Sequence, residues 1–283
     1  MKVVDNIARM TTLVKIFKKE GKSIGLVPTM GYLHEGHLSL VRAAGKHTDA
    51  AVLSIFVNPI QFGPKEDFEK YPRDLKRDEE LAASAGADII FTPAAKDMYP
   101  AGYSTYVNVE NLTDGLCGAS RAGHFRGVTT VVAKLFEIVR PDIAYFGQKD
   151  AQQAIVIKKM AADLNMGIEV KIMPTVREPD GLAMSSRNSY LSPEEKKDAL
   201  VLRESLKKAE DMVRSGERDS RKIVRTMETM IKNIPSAKID YVSIVDTAGL
   251  KEVKTIAGEA LIALAVFIGR TRLIDNVIVK GAK

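Results

Sequence analysis

Apolar and polar positions change period along this chain, and each change marks an element. Ile7, Met10, Leu13, Val14 and Phe17 fall three or four residues apart, with Gly21 behind them. That spacing predicts an amphipathic helix over 5–20 and its stop. Short continuous apolar runs follow at 24–28, 50–57, 88–93 and 143–147, the pattern of strands buried on both faces of a parallel sheet. Between them, residues 38–44, 74–85 and 128–139 return to the helical period. A further helix over 151–165 precedes a strand at 168–176. The alternation predicts an α/β chain built on a doubly wound, Rossmann-like parallel sheet. Ligands of such sheets gather at the carboxyl ends of the strands.

The pattern shifts near residue 177. Arg177-Glu178-Pro179-Asp180-Gly181 is rich in turn formers. Ser192 then reads as an N-cap, Pro193 as the first helical residue and Glu195 as the partner in a capping box. Another helix is expected over 220–232, and strands at 237–245, 259–268 and 272–279. Helices followed by consecutive strands predict a smaller C-terminal α+β domain. The expected boundaries are 1–176 for the Rossmann-like domain, 177–187 for a connector and 188–283 for the small domain. The sequence shows no internal repeat, low-complexity stretch or coiled-coil heptad.

Composition narrows the function classes. At 283 residues, 45% hydrophobic and 28% charged, the chain reads as an ordinary soluble globular protein. Its longest apolar run, 260–268, is strand-sized and too short to span a bilayer. The start, Met1-Lys2-Val3-Val4-Asp5, lacks the apolar core of a signal peptide. One cysteine, Cys117, excludes an internal disulfide framework and fits a cytoplasmic location. Set among glycines, it reads as a small packing residue. The net charge of +6 is spread out, with acidic residues interleaved as in Lys65-Glu66-Asp67-Phe68-Glu69-Lys70. A nucleic-acid binder more often shows a clustered basic face with interleaved aromatics; this chain has no tryptophan and only 6% aromatic residues. A mildly basic enzyme acting on anions fits the balance, with no nucleic-acid or membrane partner expected.

The candidate chemistry lies just past the apolar runs. His34-Glu35-Gly36-His37 follows the first strand, where a helix is expected to open near Gly36. Two imidazoles at a helix N-terminus, among unpaired N–H groups and the positive end of the dipole, suit phosphate oxygens. The same pair could simply cap the helix. It makes a poor metal site, because zinc usually takes three or four ligands and neither His47 nor His124 completes a set. Gly147-Gln148-Lys149-Asp150 offers a close backbone approach, a cation and an acceptor for ribose hydroxyls, or else an ordinary turn capped by Asp150. Met184-Ser185-Ser186-Arg187 could wrap a triphosphate or serve as a solvated linker. Pro28-Thr29-Met30, Asn58-Pro59-Ile60-Gln61 and the Gly147 turn all follow strands, so one crevice is expected to receive them.

A His-x-x-His turn combined with a Met-Ser loop resembles the HxGH nucleotidyltransferase and class I aminoacyl-tRNA synthetase superfamily. Ala183-Met184-Ser185-Ser186-Arg187 stands where those synthetases typically carry Lys-Met-Ser-Lys-Ser. The closer resemblance is to the pantothenate synthetase, or pantoate–β-alanine ligase, family. It rests on Val27-Pro28-Thr29-Met30-Gly31-Tyr32-Leu33-His34-Glu35-Gly36-His37, Ser54-Ile55-Phe56-Val57-Asn58-Pro59-Ile60-Gln61-Phe62-Gly63 and Tyr71-Pro72-Arg73-Asp74. Further along come His124-Phe125-Arg126-Gly127-Val128, Phe146-Gly147-Gln148-Lys149-Asp150-Ala151-Gln152-Gln153 and Met184-Ser185-Ser186-Arg187-Asn188. Their order covers roughly the first two thirds of the chain.

The resemblance implies a two-step ligase in which ATP, with Mg2+, activates the pantoate carboxylate as an acyl adenylate that β-alanine then attacks. It assigns ATP to Met30, Gly31, Tyr32, Leu33, His34, Glu35, Gly36 and His37, to Gly147, Gln148, Lys149 and Asp150, and to Val176, Met184, Ser185, Ser186 and Arg187. His37, His34, Lys149, Ser185, Ser186 and Arg187 carry the catalytic expectation, His37 being the residue the family treats as proton donor. Gln61, Gln153 and Met30 are expected at pantoate, with Asn58, Arg121 and His124 beside them. It also implies a homodimer and a small domain acting as a lid; metal ligands stay unassigned. Two rivals stand beside it: a nucleotidyltransferase with a dinucleotide-type product, and a noncatalytic nucleic-acid binder.

Overall fold

The five expected strands and one more form a six-stranded parallel sheet in the computed structural model, which describes residues 1–64 and 66–281. They are β1 (Lys2–Val4), β2 (Ile24–Thr29), β3 (Ala50–Ile55), β4 (Ile89–Phe91), β5 (Ile143–Gly147) and β6 (Glu169–Met173). Their order is β1-β4-β3-β2-β5-β6, so the winding direction reverses between β2 and β5. The doubly wound expectation is met, and the crevice of such a sheet opens where its order reverses. β1 has no counterpart in the sequence reading, since three residues are too few to display a period.

One residue shapes that crevice. The carbonyls of Ser23 and Thr29 accept from Ala50 and Phe56 toward β3, and that of Ile24 accepts from Asp142 toward β5. Alternation along the strand therefore turns Pro28 toward β5, where proline has no N–H to give. Pairing of β2 with β5 stops at Leu26↔Ala144, whereas β2 with β3 continues to Thr29↔Ile55. The seam between β2 and β5 is left open at its carboxyl end.

Helices α1 (Ile7–Lys19), α2 (Glu35–His47), α3 (Leu75–Ser84), α4 (Ala95–Met98), α5 (Cys117–Ser120), α6 (His124–Val139) and α7 (Ala151–Asp163) alternate with these strands. Val27, Leu33, Leu38, Val41, Leu53, Ile90 and Tyr145 are buried together between α2 and the sheet. The short α4 and α5 interrupt a stretch in which the sequence shows no period.

The chain divides into two compact units, one of Met1–Val109, Arg121–Gly147 and Val156–Pro174, the other of Glu110–Ser120, Gln148–Ile155 and Thr175–Lys283. In the second, α8 (Pro193–Arg214) and α9 (Ser220–Lys232) pack on an antiparallel sheet of β7 (Ala237–Asp246), β8 (Glu259–Ile268) and β9 (Thr271–Lys280). The capping box forms as expected. Ser192 Oγ accepts from the Glu195 N–H at 3.2 Å, and Glu195 Oε2 accepts from the Ser192 N–H at 2.9 Å. Ile223, Met227 and Ile231, spaced by four along α9, are fully buried. Each contributes about 1.5–3 kcal/mol by that burial. No helix among the described residues is long and apolar enough to cross a membrane.

Candidate active site

The turn from β2 into α2 is held in an unusual shape. Gly31 and Tyr32 both take left-handed backbone, at φ 83° and 49°. A side chain suits neither conformation well, so something must hold Tyr32 there. Asp78 does so from α3: its carboxylate accepts the N–H groups of Tyr32 and Leu33, both at 2.7 Å. A Cβ on Gly31 would come within 2.9 Å of Asp78 Oδ2 and of Ile55 Cγ2, so a larger residue there would have to push aside the carboxylate that holds the turn. Burial pushes the Asp78 carboxyl above its ordinary range, opposed by the two N–H bonds and by Arg77. Arg77 also donates to the Leu33 carbonyl at 3.0 Å and lies over the Tyr32 ring.

The turn delivers the two imidazoles to the start of α2. His34 is the N-cap and α2 begins at Glu35, one residue before Gly36. The rings of His34 and His37 stack with centroids 4.0 Å apart. His37 Nδ1 accepts from the His34 N–H at 3.3 Å. An accepting Nδ1 places the proton of the neutral ring on Nε2, which becomes a donor for an anion at the helix start. Glu35 is paired with Arg42 on the exposed side of α2.

In the same unit, the turn after β3 carries the second constellation. Asn58, which precedes a short 3-10 turn, Pro59–Gln61, and Gln61, which ends it, are both buried. Asn58 Nδ2 donates to Gln61 Oε1 at 3.0 Å and to the Gly127 carbonyl at 3.1 Å. Gln61 Nε2 lies 3.1 Å from Met30 Sδ, just beyond β2. Gly127 is glycine for a steric reason: its Cβ would lie 2.4 Å from the Ile60 carbonyl oxygen and 2.6 Å from Gln61 Cα. Arg121 and His124 act on the same turn. His124 Nδ1 donates to the Gln61 carbonyl at 2.8 Å, and Arg121 donates to His124 Nε2 at 2.8 Å. Since guanidinium can only donate and a carbonyl only accept, His124 is the neutral Nδ1–H form. Arg121 is anchored in turn on Glu66, at 2.7 Å through two nitrogens. Burial works to raise the Glu66 carboxyl, yet the Arg121 pair holds it below the usual carboxylate range. Gly147 closes β5; no described atom lies within 4 Å of where its Cβ would stand.

The second unit holds the remaining candidates. Lys149 Nζ lies 3.9 Å from Asp150. The carbonyls of Gln148 and Lys149 both accept from Asn276 Nδ2 of β9 at 2.9 Å. Gln153 is half-buried near the start of α7, while its neighbour Gln152 is buried and fully engaged. Gln152 accepts from the Cys117 N–H and donates to the Leu112 and Gly115 carbonyls. The Ser-Ser-Arg segment follows a tight bridge between Arg177 and Ala183, and Met184 N–H donates to the Val176 carbonyl at 3.1 Å. Ser185 caps the 3-10 turn Ser186–Tyr190, accepting from the Arg187 N–H. Asn188 fastens that turn to Glu178 and to the Ala183 carbonyl. Cys117 is buried, with Sγ 3.3 Å from the Tyr241 hydroxyl.

Comparison with known proteins settles the family. The family model for pantoate-beta-alanine ligase matches residues 2–278. The chain belongs to that family. A pantothenate synthetase of Moorella thermoacetica is 59% identical over 280 residues, covering 99% of both chains. The solved pantothenate synthetase of Thermus thermophilus is 44% identical, with a TM-score of 0.93 over 98% of this chain and 99% of that one. A pantoate-beta-alanine ligase from Francisella tularensis, solved with beta-gamma ATP and beta-alanine, is 33% identical, with a TM-score of 0.81 over 98% and 97%.

Within this ligase family member, several residues that support the candidates escaped the sequence reading. Asp78 lies four residues after the N-cap Asp74, on the inner face of a helix, where a carboxylate needs donors. Asp275 breaks the apolar series Leu273, Val277 and Val279 on the inward face of β9, and it pairs with Arg177 at 2.6 Å. A buried charge on an apolar face is a signal that can be read from sequence. Tyr99, which donates to Asn58 Oδ1 at 2.8 Å, carries no such signal.

Proposed function

We infer that this chain is an ATP-dependent ligase that condenses pantoate with β-alanine to give pantothenate, AMP and pyrophosphate. Membership of the pantoate–β-alanine ligase family over residues 2–278 is the observation that carries it. The geometry within the first unit suits the chemistry: a His-bearing helix start beyond the open seam, and a carboxamide donor beside Met30. In the first step a pantoate carboxylate oxygen attacks the α-phosphorus of ATP. The bond from that phosphorus to the bridging oxygen breaks, and pyrophosphate leaves. In the second, the β-alanine nitrogen attacks the acyl carbon of pantoyl adenylate, AMP departs and the nitrogen gives up a proton.

Each assigned residue has a task its chemistry fits. His37 donates from Nε2 to charge growing on the phosphates, with His34 stacked beside it. Lys149 offsets repulsion between two anionic substrates, and Gly147, Gln148, Asp150 and Val176 are given to the nucleoside. Met184, Ser185, Ser186 and Arg187 serve the phosphates. Gln61 and Gln153 bind pantoate, with Met30 against its dimethyl carbon. No group of three or more His, Cys, Asp or Glu suited to a metal occurs among the described residues. Magnesium would be carried on the ATP phosphates, its usual partners, and there would neutralise their charge.

The decisive measurement is exchange of labelled pyrophosphate into ATP. It should require pantoate and proceed without β-alanine. Amide formation with no such exchange would overturn the acyl-adenylate route, and dependence on a nucleoside monophosphate instead would favour a dinucleotide-forming enzyme. On the same footing we assign residues 177–187 as connector, 188–283 as the small lid domain, a homodimer as the assembly and the cytoplasm as the location. A stable monomer by light scattering at micromolar concentration would overturn the dimer.

A further inference from the structure

The first unit contains a polar relay whose direction is fixed by one backbone atom. The Gly127 carbonyl can only accept, and it lies 3.1 Å from a terminal atom of the Asn58 carboxamide. That atom must be the amide nitrogen, so the Asn58 oxygen faces the other way. There it meets the Tyr99 hydroxyl at 2.8 Å, which must donate. The second hydrogen of the Asn58 nitrogen faces Gln61 at 3.0 Å, so the Gln61 oxygen must accept it. Only one orientation of Gln61 remains. Its NH2 group faces Met30 Sδ, a thioether and hence a weak acceptor that a ligand oxygen readily replaces.

We propose that Tyr99, acting through Asn58, is a positioning residue that fixes Gln61 as a hydrogen-bond donor toward the oxygens of pantoate. The proposal rests on the assignment of Gln61 to pantoate. An unheld glutamine could present either its oxygen or its nitrogen, and the oxygen would repel a carboxylate. Both hydrogens of the Asn58 nitrogen are committed, to Gly127 and Gln61, and its oxygen accepts from Tyr99, so Asn58 has no donor left for an anionic substrate and acts on it through Gln61. Tyr99 is well placed to keep the relay set. Its ring packs on Phe56 and Tyr103, and burial pushes its phenol above the ordinary value, with Tyr103 and Tyr106 adding to the effect. The hydroxyl therefore stays a donor at any pH the enzyme meets.

The test compares Tyr99→Phe, Gln61→Ala and the double variant in pantoate-dependent pyrophosphate exchange. Tyr99→Phe should raise the KM for pantoate by about three- to tenfold, the scale of one buried hydrogen bond. The KM for ATP and the midpoint of thermal unfolding should stay close to wild type. In the Gln61→Ala background the same change should add less than about twofold, since the two residues act as one unit. Gln61→Glu keeps the shape and the acceptor toward Asn58 but turns an acceptor outward, and it should raise the KM at least as much as Gln61→Ala. An undiminished Tyr99→Phe effect in the double variant, or a wild-type KM in Gln61→Glu, would overturn the relay. So would a silent Tyr99→Phe beside an impaired Gln61→Ala. A wild-type pantoate KM in Gln61→Ala would instead remove the assignment of Gln61 beneath it.

Discussion

At the residue scale the donors are set by their neighbours rather than by their own identity. His37 carries its neutral-ring proton on Nε2 because a backbone N–H occupies Nδ1, and His124 carries it on Nδ1 because Arg121 occupies Nε2. The two histidines thus hold opposite tautomers, and they serve different ends. His37→Ala should slow pantoyl-adenylate formation by roughly 10²–10³-fold, the loss seen when one preorganised donor to a developing charge is removed. Single-turnover kinetics measures that step, and a near-normal rate would leave His37 as a helix-start residue alone. Thermal unfolding should be little changed, because His37 is only half-buried at the start of α2.

At the element scale, function depends on how closely α6 lies to the turn after β3. The Gly127 position allows backbone to touch backbone, and the Asn58 bond to its carbonyl exploits that approach. Gly127→Ala should force the Pro59–Gln61 turn away, at a cost of about 1–3 kcal/mol for overpacking. Denaturant unfolding measures that cost, and a raised pantoate KM with an ATP KM near wild type should accompany it. Sequence patterning could read the periods of α1, α9 and the strands, and the capping box of α8, because those signals repeat or are local. It could not read the Gly127 contact, which joins residues far apart in the chain. The candidate site divides the same way: the His34 and His37 turn is legible as a local motif. The Tyr99 and Asn276 supports are not, because each acts on a turn remote in sequence, and Asp78 shows in the sequence only as an acidic residue on an inner helix face, not as the holder of that turn.

At the scale of the whole molecule, Asp142 ties α1 and β2 to the start of β5, accepting from Lys18 Nζ and from the Ile24 N–H, both at 2.6 Å. Burial acts to raise its carboxyl, but the Lys18 and Ile24 bonds outweigh it and hold the group below the ordinary 3.8. A carboxyl depressed in the folded state binds fewer protons than in the unfolded chain, so its stabilisation is present above pH about 4 and lost as pH falls through the folded value. Asp142→Asn should therefore flatten the decline of the unfolding midpoint between neutral pH and about pH 3. An unchanged slope would place the acid sensitivity elsewhere. The proline of β2 has a consequence of another kind, for the rate at which nucleotide arrives. The gap between β2 and β5 is kept by a missing hydrogen on Pro28, so it exists before any ligand does. No strand must part to admit ATP. The encounter itself should be a bimolecular phase, with an observed rate that climbs linearly with ATP concentration, and any closure of the lid should follow as a separate, slower phase.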